Sequence, residues 1–347
     1  MAQEKHPDPI TEIHRYRASV MVSSCYLPCY LLFTPVLLLL EAVHAQERDI
    51  SEIIFPEDIE SVEEIVIPDD GMHFTEGPVW VQEENALYFS DMRFLLREEG
   101  RLMRWRKGEL TVVREGWQAN GNTRDLEGNL VSCNYGLRQV TRLSRPFGSG
   151  NVTVLTNGYE GKKLGAPNDI AVKSDGSIWF TDAFFGLYGR EEEQDGRYVY
   201  RISPTGTLTA VYKGGDLPNG IGFSPDEKRL YIGEDYGEIG TVRVFDVIDI
   251  EHEGAQDGLN TTHFREIPLR ADGFALDGEE NIYIAAVGGV HVYDKDGNKY
   301  GMIRIPKRSR NVAFGGKKNN YIFVTAWSSV FRLRIKKWGN RVENRMW

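Results

Sequence analysis

Six polar residues recur at one phase of the chain: Glu76, Asn120, Asn168, Asn219, Asp272 and Asn311. Each opens a short apolar segment, with a polar turn about eight residues on and then an apolar, aromatic-rich run. None of the six is a lysine, an arginine or a hydrophobe. Carboxylate and amide oxygens brought face to face repel unless a cation or water satisfies them. Hard divalent cations take oxygen ligands of this kind. Two carboxylates with amides suit Ca²⁺ first, and also Mg²⁺ or Mn²⁺; Zn²⁺ more often recruits thiolate or imidazole. The plain alternative is that an Asn or Asp before a strand is a turn residue. Asn120 and Asn311 are the two expected to be structural or water-bridged.

The elements that must bring these residues together follow from their spacing. Successive copies lie 44, 48, 51, 53 and 39 residues apart, by subtraction of the six positions. That period suits four short strands per repeat and a closed ring of blades. The fold expected is all-β, a six-bladed β-propeller of four-stranded antiparallel blades over residues 70–336, with the first strand of each blade lining a central channel. Asp175-Gly176 and Asp296-Gly297 are hairpin dipeptides, because glycine takes positive φ at little cost. Residues 46–69 are acidic and read as a solvated lead-in. Its end, Glu64 to Pro68, has strand character and would pair with the last blade and close the ring. Residues 337–347 are left as a tail.

Composition narrows the partners. The chain is 41% hydrophobic and 27% charged, ordinary for a globular protein. Its net charge of −10 argues against nucleic acid, whose binding domains carry a basic face. Residues 30–40 are nearly all apolar and lead to Val43 and Ala45, small residues at the −3 and −1 positions of a cleavage site. Residues 1–45 therefore read as a secretory signal, which implies a secreted or periplasmic protein with no stable membrane association once cut. An uncleaved membrane anchor is the alternative, although the apolar core is about half the roughly 20 residues a spanning helix needs. Cys25 and Cys29 would leave with that segment, so Cys133 would remain without a disulfide partner.

The segments EGPVW, APNDIAVKSDGSIWFTD, LPNGIGFSPDEKRLYIGED, DGFALD and NVAFGGKKNNYIFVTA resemble the gluconolactonase / regucalcin (senescence-marker) / luciferin-regenerating-enzyme family. The resemblance spans about residues 70–335 in the family's order. It implies a six-bladed propeller with one catalytic divalent cation on the axis and hydrolysis of sugar-type or other small lactones. Motif by motif, it implies Glu76, Asn219 and Asp272 as metal ligands, and Asn168 as a residue that binds metal or substrate. It also implies Asp272 as the proton-transfer residue. In that reading a lactone carbonyl is polarised by the cation, amides of Asn168 or Asn122 assist the oxyanion, and Asp272 takes a proton from water.

The sequence departs from the family at two places. Cys133-Asn134-Tyr135-Gly136 stands where many bacterial gluconolactonases read CEHG, so a Glu and a His are missing. Tyr135 either donates a hydrogen bond to substrate or packs. Ala166 stands where regucalcin-like members place an arginine for sugar hydroxyls. Phe184, Phe185 and Tyr188 either wall the pocket or pack, and Asp182 is expected to fix a turn. His291 reads as a strand residue, and the histidines show no metal-ligand spacing. Two other functions remain open: a non-catalytic, metal-stabilised binding propeller, and a related esterase or phosphotriesterase. The oligomeric state is not legible.

Overall fold

The structure is a computed structural model that describes residues 59–67, 72–93, 100–187, 189–213, 217–235, 240–248, 259 and 265–335. The segment read as a signal, the first part of the lead-in, the tail, Tyr188, His252 and His263 lie outside the described residues.

The ring begins with β1 (Ile59–Val66), which belongs to the last blade. Blade 1 is β2 (Thr75–Val81), β3 (Ala86–Asp91), β4 (Arg101–Arg106) and β5 (Glu109–Glu115). Blade 2 is β6 (Asn122–Arg124), β7 (Leu130–Asn134), β8 (Gln139–Leu143) and β9 (Val152–Thr156). A small hairpin, β10 (Gly158–Tyr159) and β11 (Lys162–Lys163), leads to blade 3: β12 (Ala166–Val172), β13 (Ile178–Ala183), β14 (Tyr198–Ile202) and β15 (Leu208–Lys213). Blade 4 is β16 (Pro218–Phe223), β17 (Arg229–Glu234), β18 (Thr241–Asp246) and β19 (Arg265–Ile267). Blade 5 is β20 (Phe274–Leu276), β21 (Ile282–Ala286), β22 (Gly289–Tyr293) and β23 (Lys299–Arg304). Blade 6 runs β24 (Ser309–Gly315), β25 (Tyr321–Ala326), β26 (Ser329–Ile335), with β1 as its outer strand. All pairings are antiparallel, and every blade has four strands. This is the expected six-bladed propeller.

The second strands carry the core. Ala86–Asp91, Leu130–Asn134, Ile178–Ala183 and Ile282–Ala286 are buried at every position, because each is covered on both faces by neighbouring blades. Their aromatic residues form the inter-blade layers: Trp80 stacks on Phe323 at 5.3 Å, and Tyr283 meets Phe314 edge-on at 5.2 Å.

The closing strand is longer than the sequence suggested. It starts at Ile59, not Glu64, and takes in residues read as solvated lead-in. Its glutamates have partners that a local reading cannot see. Glu60 pairs with Arg334 at 3.0 Å, Glu63 with Arg332 at 2.5 Å, and Glu64 with Lys307 at 2.6 Å. An acidic outer strand thus lies on a basic neighbour, a favourable cross-strand arrangement.

Candidate functional site

The six repeat-initial residues stand at or beside the first residues of the innermost strands, all at one end of the ring. Backbone hydrogen bonds join the blades at this level. Gly121 N donates to Asn168 O at 2.8 Å, Gly220 N to Asp272 O at 3.1 Å, and Gly273 N to Arg310 O at 2.7 Å. Such close approach explains the glycines that follow the polar residues. A Cβ on Gly273 would overlap the Asn311 amide, and one on Gly77, which has φ of +49°, would overlap the Asn120 carbonyl.

Glu76 is 3% exposed and accepts from the Gly77 N–H at 3.1 Å. Burial pushes its pKa well above the usual carboxylate range, and the negative charges of Asp272 and Asp169 push the same way. Asn168 and Asn219 are each 6% exposed. Among the described residues their side-chain amides make no hydrogen bond, nor does that of Asn120. Asp272 precedes β20, and its Oδ2 accepts from Arg310 Nη1 at 3.1 Å. The pair is 11% exposed on Arg310 and 13% on Asp272. The Arg310 guanidinium lies over Phe74 at 4.4 Å and Trp327 at 5.2 Å.

The remaining expected residues separate. Asn122 ties blades 1 and 2 together. Its Nδ2 donates to Gly77 O at 2.9 Å, Ser90 Oγ at 2.8 Å and Asn120 O at 3.2 Å, while its Oδ1 accepts from Ser132 at 2.6 Å. No amide donor is left for an oxyanion, contrary to the expectation. Tyr135 packs with Met92, Ala166 and Phe74, and a Cβ on Gly186 would strike its ring. Asn311 donates to Asp169 Oδ2 at 3.3 Å, between blades 6 and 3, and caps its own strand through the Val312 N–H. Asp182 accepts from Gly165 N at 2.7 Å, the turn role expected of it. Phe184 stacks on Phe185 at 5.7 Å, and His291 bonds to Val287 O at 3.0 Å within its blade.

Sequence reasoning missed two residues. Asp169 is buried, and burial raises its pKa to about 7, against the hydrogen bonds that lower it. It follows Asn168, so the PND motif supplies two polar side chains where one was expected. Arg310 precedes Asn311 and is the cationic partner of a candidate ligand. Its signal was present, because RNVAFGG puts a cation directly before a repeat-initial asparagine. Past the ring the channel opens into a cavity of about 210 Å³ lined by Pro78, Asn122, Asp169, Phe274, Asn311 and Phe314.

Among the described residues no three His, Cys, Asp or Glu side chains group as a metal cluster. A mixed set passes a different test. Two carboxylates within electrostatic reach, Glu76 and Asp272, stand with the unbonded amides of Asn168 and Asn219. Oxygen donors of this composition fit a hard divalent cation.

Residues 74–328 match the SMP-30/Gluconolactonase/LRE-like region family model. The chain belongs to this family. A gluconolactonase of Zymomonas mobilis is 27% identical over 308 residues, 81% of this chain and 83% of the relative. A pentonolactonase of Haloferax volcanii is 26% identical over 269 residues, 75% of this chain and 83% of the relative. The solved structure of a Xanthomonas campestris gluconolactonase is 29% identical, with a TM-score of 0.70 over 82% of this chain and 94% of that one. A calcium-binding regucalcin of Agrobacterium tumefaciens, at 20% identity and TM-score 0.58, shares the fold.

Proposed function

We propose that this protein is a divalent-cation-dependent lactonase that opens small lactones of the sugar-acid type at the ring end of its channel. What supports the reading is a buried Glu76 carboxylate within electrostatic reach of Asp272, with the buried Asn168 and Asn219 amides at the same phase of the ring and without hydrogen bonds among the described residues. The gluconolactonase and pentonolactonase relatives support the substrate class.

Glu76, Asn168, Asn219 and Asp272 would hold the cation, with Ca²⁺ the best match to their oxygens. When bound, the cation supplies Lewis-acid polarisation of the lactone carbonyl. The chain's own residues do the rest. Asp272 Oδ2 is held by Arg310, and Oδ1 makes no hydrogen bond among the described residues, so Oδ1 is the proton acceptor. Water loses a proton to Oδ1 and adds to the carbonyl carbon. The ring C–O bond breaks, and the departing alkoxide regains the proton. The Asn168 amide would donate to the developing oxyanion. A carboxylate is a weak base, which suits an activated ester better than an amide. The segment that precedes the propeller is proposed to direct export.

The test is hydrolysis of a lactone panel by chelated protein, followed by add-back of Ca²⁺, Mn²⁺, Mg²⁺ or Zn²⁺. Asp272→Ala should lose about 10²-fold or more in kcat. Full activity in that variant, or no lactone turned over with any cation, overturns the proposal. One observation favours a non-catalytic binding propeller: Asn134 and Tyr135, which depart from the Glu and His that the family resemblance implies, are both buried. That reading predicts cation-dependent stability without turnover.

A further inference from the structure

One hairpin at the ring end breaks the usual rule for its turn. Trp327 and Ser328 connect β25 to β26, with Ala326 opposite Ser329. Trp327 has a φ of +53°, in the left-handed region that glycine, asparagine and aspartate fill in hairpin turns. The matching two-residue hairpin of blade 5 follows the rule and gives a positive φ to Gly288. Blade 6 gives it to a tryptophan, which strains the backbone. Packing does not account for that strain. Trp327 remains 44% exposed and is the most exposed tryptophan among the described residues.

The strained residue is fixed in place beside the candidate site. Its carbonyl accepts from Thr75 N at 2.6 Å and from Thr75 Oγ1 at 3.1 Å, and Thr75 directly precedes Glu76. Its ring lies 5.2 Å from the Arg310 guanidinium, whose Nη1 donates to Asp272 Oδ2 at 3.1 Å. It lies 5.5 Å from the Phe74 ring, tilted by 57°. An open indole thus stands one hydrogen-bonded residue from Glu76 and one side chain from Asp272. Strained groups that their surroundings hold firmly collect at binding sites. An indole offers a flat, negatively polarised face. The ring of a sugar-type lactone is its complement, with C–H bonds polarised by their oxygens on one face and hydroxyls around the edge. An alkyl chain would match the indole alone and leave the polar groups beside it unpaired.

We propose that Trp327 is a stacking platform for the substrate: the C–H face of a polyhydroxylated lactone ring lies on the exposed indole, and its hydroxyl edge meets the polar residues of the ring. The inference rests on the lactonase reading for its substrate and on the hairpin geometry for its site. Trp327 is a binding and specificity residue here and takes no part in proton transfer.

The experiment assays wild type, Trp327→Gly and Trp327→Phe on glucono-δ-lactone and on δ-decalactone, with Ca²⁺ present. Glycine accepts the positive φ and keeps the hairpin, while phenylalanine keeps an aromatic face. In W327G the KM for glucono-δ-lactone should rise about tenfold with kcat little changed. W327F should recover most of that loss. An unchanged KM overturns the platform. So does a KM that rises for δ-decalactone alone, which would assign the indole to an alkyl chain. A fall in kcat at constant KM would show Trp327 acting only through Arg310, and overturns it as well. Calorimetric binding of 1,5-anhydroglucitol, a pyranose ring with no carbonyl to attack, separates the two proposals. If no lactone is hydrolysed but this ring binds wild type and binds W327G about tenfold more weakly, the platform stands and the lactonase reading falls. If it binds both proteins equally, or does not bind wild type, the platform falls whatever the kinetics show.

Discussion

Replacing Arg310 by methionine isolates the ion pair on which the ring end depends. The methionine keeps an apolar stem against Phe74 and Trp327 and removes the charge. Asp272 then loses the one cationic hydrogen-bond partner it has among the described residues, while remaining within electrostatic reach of Glu76. Removing one member of a buried ion pair costs about 3–5 kcal/mol. The pair is slightly solvated, at 11% and 13% exposed, so the lower end of that range applies, near 3 kcal/mol. The cation–π contacts add roughly 0.5–1 kcal/mol each, which the methionine recovers in part. At about 2 °C per kcal/mol for a domain of this size, cation-free protein should melt about 6 °C lower.

The same change should act oppositely on cation binding. A guanidinium on the ligand carboxylate repels a dication, by at least about 1 kcal/mol per unit-charge pair at ~4 Å even in bulk water. A dication makes two such pairs, about 2 kcal/mol, so removing the guanidinium should tighten Ca²⁺ binding about thirtyfold. Bound cation stabilises the fold by RT ln(1 + [L]/Kd), about 2.7 kcal/mol at 100 Kd. The melting deficit of R310M should therefore shrink as Ca²⁺ is added. Differential scanning calorimetry of chelated and Ca²⁺-loaded proteins reads the deficit, and titration calorimetry reads the Kd. An equal deficit in both states with an unchanged Kd would refute the idea that Arg310 and the cation share one carboxylate.

Other changes probe the frame and its pH dependence. Asn122→Ala removes four hydrogen bonds and leaves buried partners unpaired; at about 1–3 kcal/mol for each group left without a partner, denaturant unfolding should show a loss of several kcal/mol. Burial raises the Asp169 pKa to about 7, so its contribution to stability is full below the usual aspartate range and is lost as pH rises through 7. Cation-free Asp169→Asn should therefore gain several degrees in Tm over wild type at pH 8 and little at pH 5, and equal shifts at both pH values would count against it. Glu64 behaves the other way. Burial would raise its pKa, but hydrogen bonds from Lys307 and Ser329 and the Lys307 charge leave it below the usual glutamate value. Its stabilisation of the closing strand is present above that usual value and is lost as pH falls through the lowered one; in Glu64→Gln the acid-induced part of the melting shift should diminish.

The fold was legible because each blade repeats one register. A polar residue, a turn and an aromatic strand recur six times, and such a repeat buries its faces only by closing into a ring. The candidate ligands were legible for the same reason: one phase of the repeat means one height on the axis. What the repeat could not show were pairings between blades. Asn122 is a donor by residue type, and only the approach of Gly77 and Ser90 from blade 1 reveals that its amide is already used. Glu60 and Glu63 look solvated along the chain, yet Arg334 and Arg332 lie some 270 residues later. Arg310 was hidden because an arginine at a strand start looks like a surface residue until Asp272 of the neighbouring blade is placed against it.

That last contact bears on how the site divides its labour. A channel of asparagines and two carboxylates is selective for a cation but indifferent to what lies beyond it. Tyr135 and Ala166 pack together with Met92 and Phe74, closing one wall with apolar surface. Arg270 and Arg308 lie on the links into blades 5 and 6, and Arg310 lies in β24. The candidate cation ligands sit at or beside the starts of the inner strands, at the level where backbone bonds join the blades. In the proposed reading the ring would supply the chemistry and the links the substrate contacts, the separation expected when function is carried by loops on a rigid scaffold.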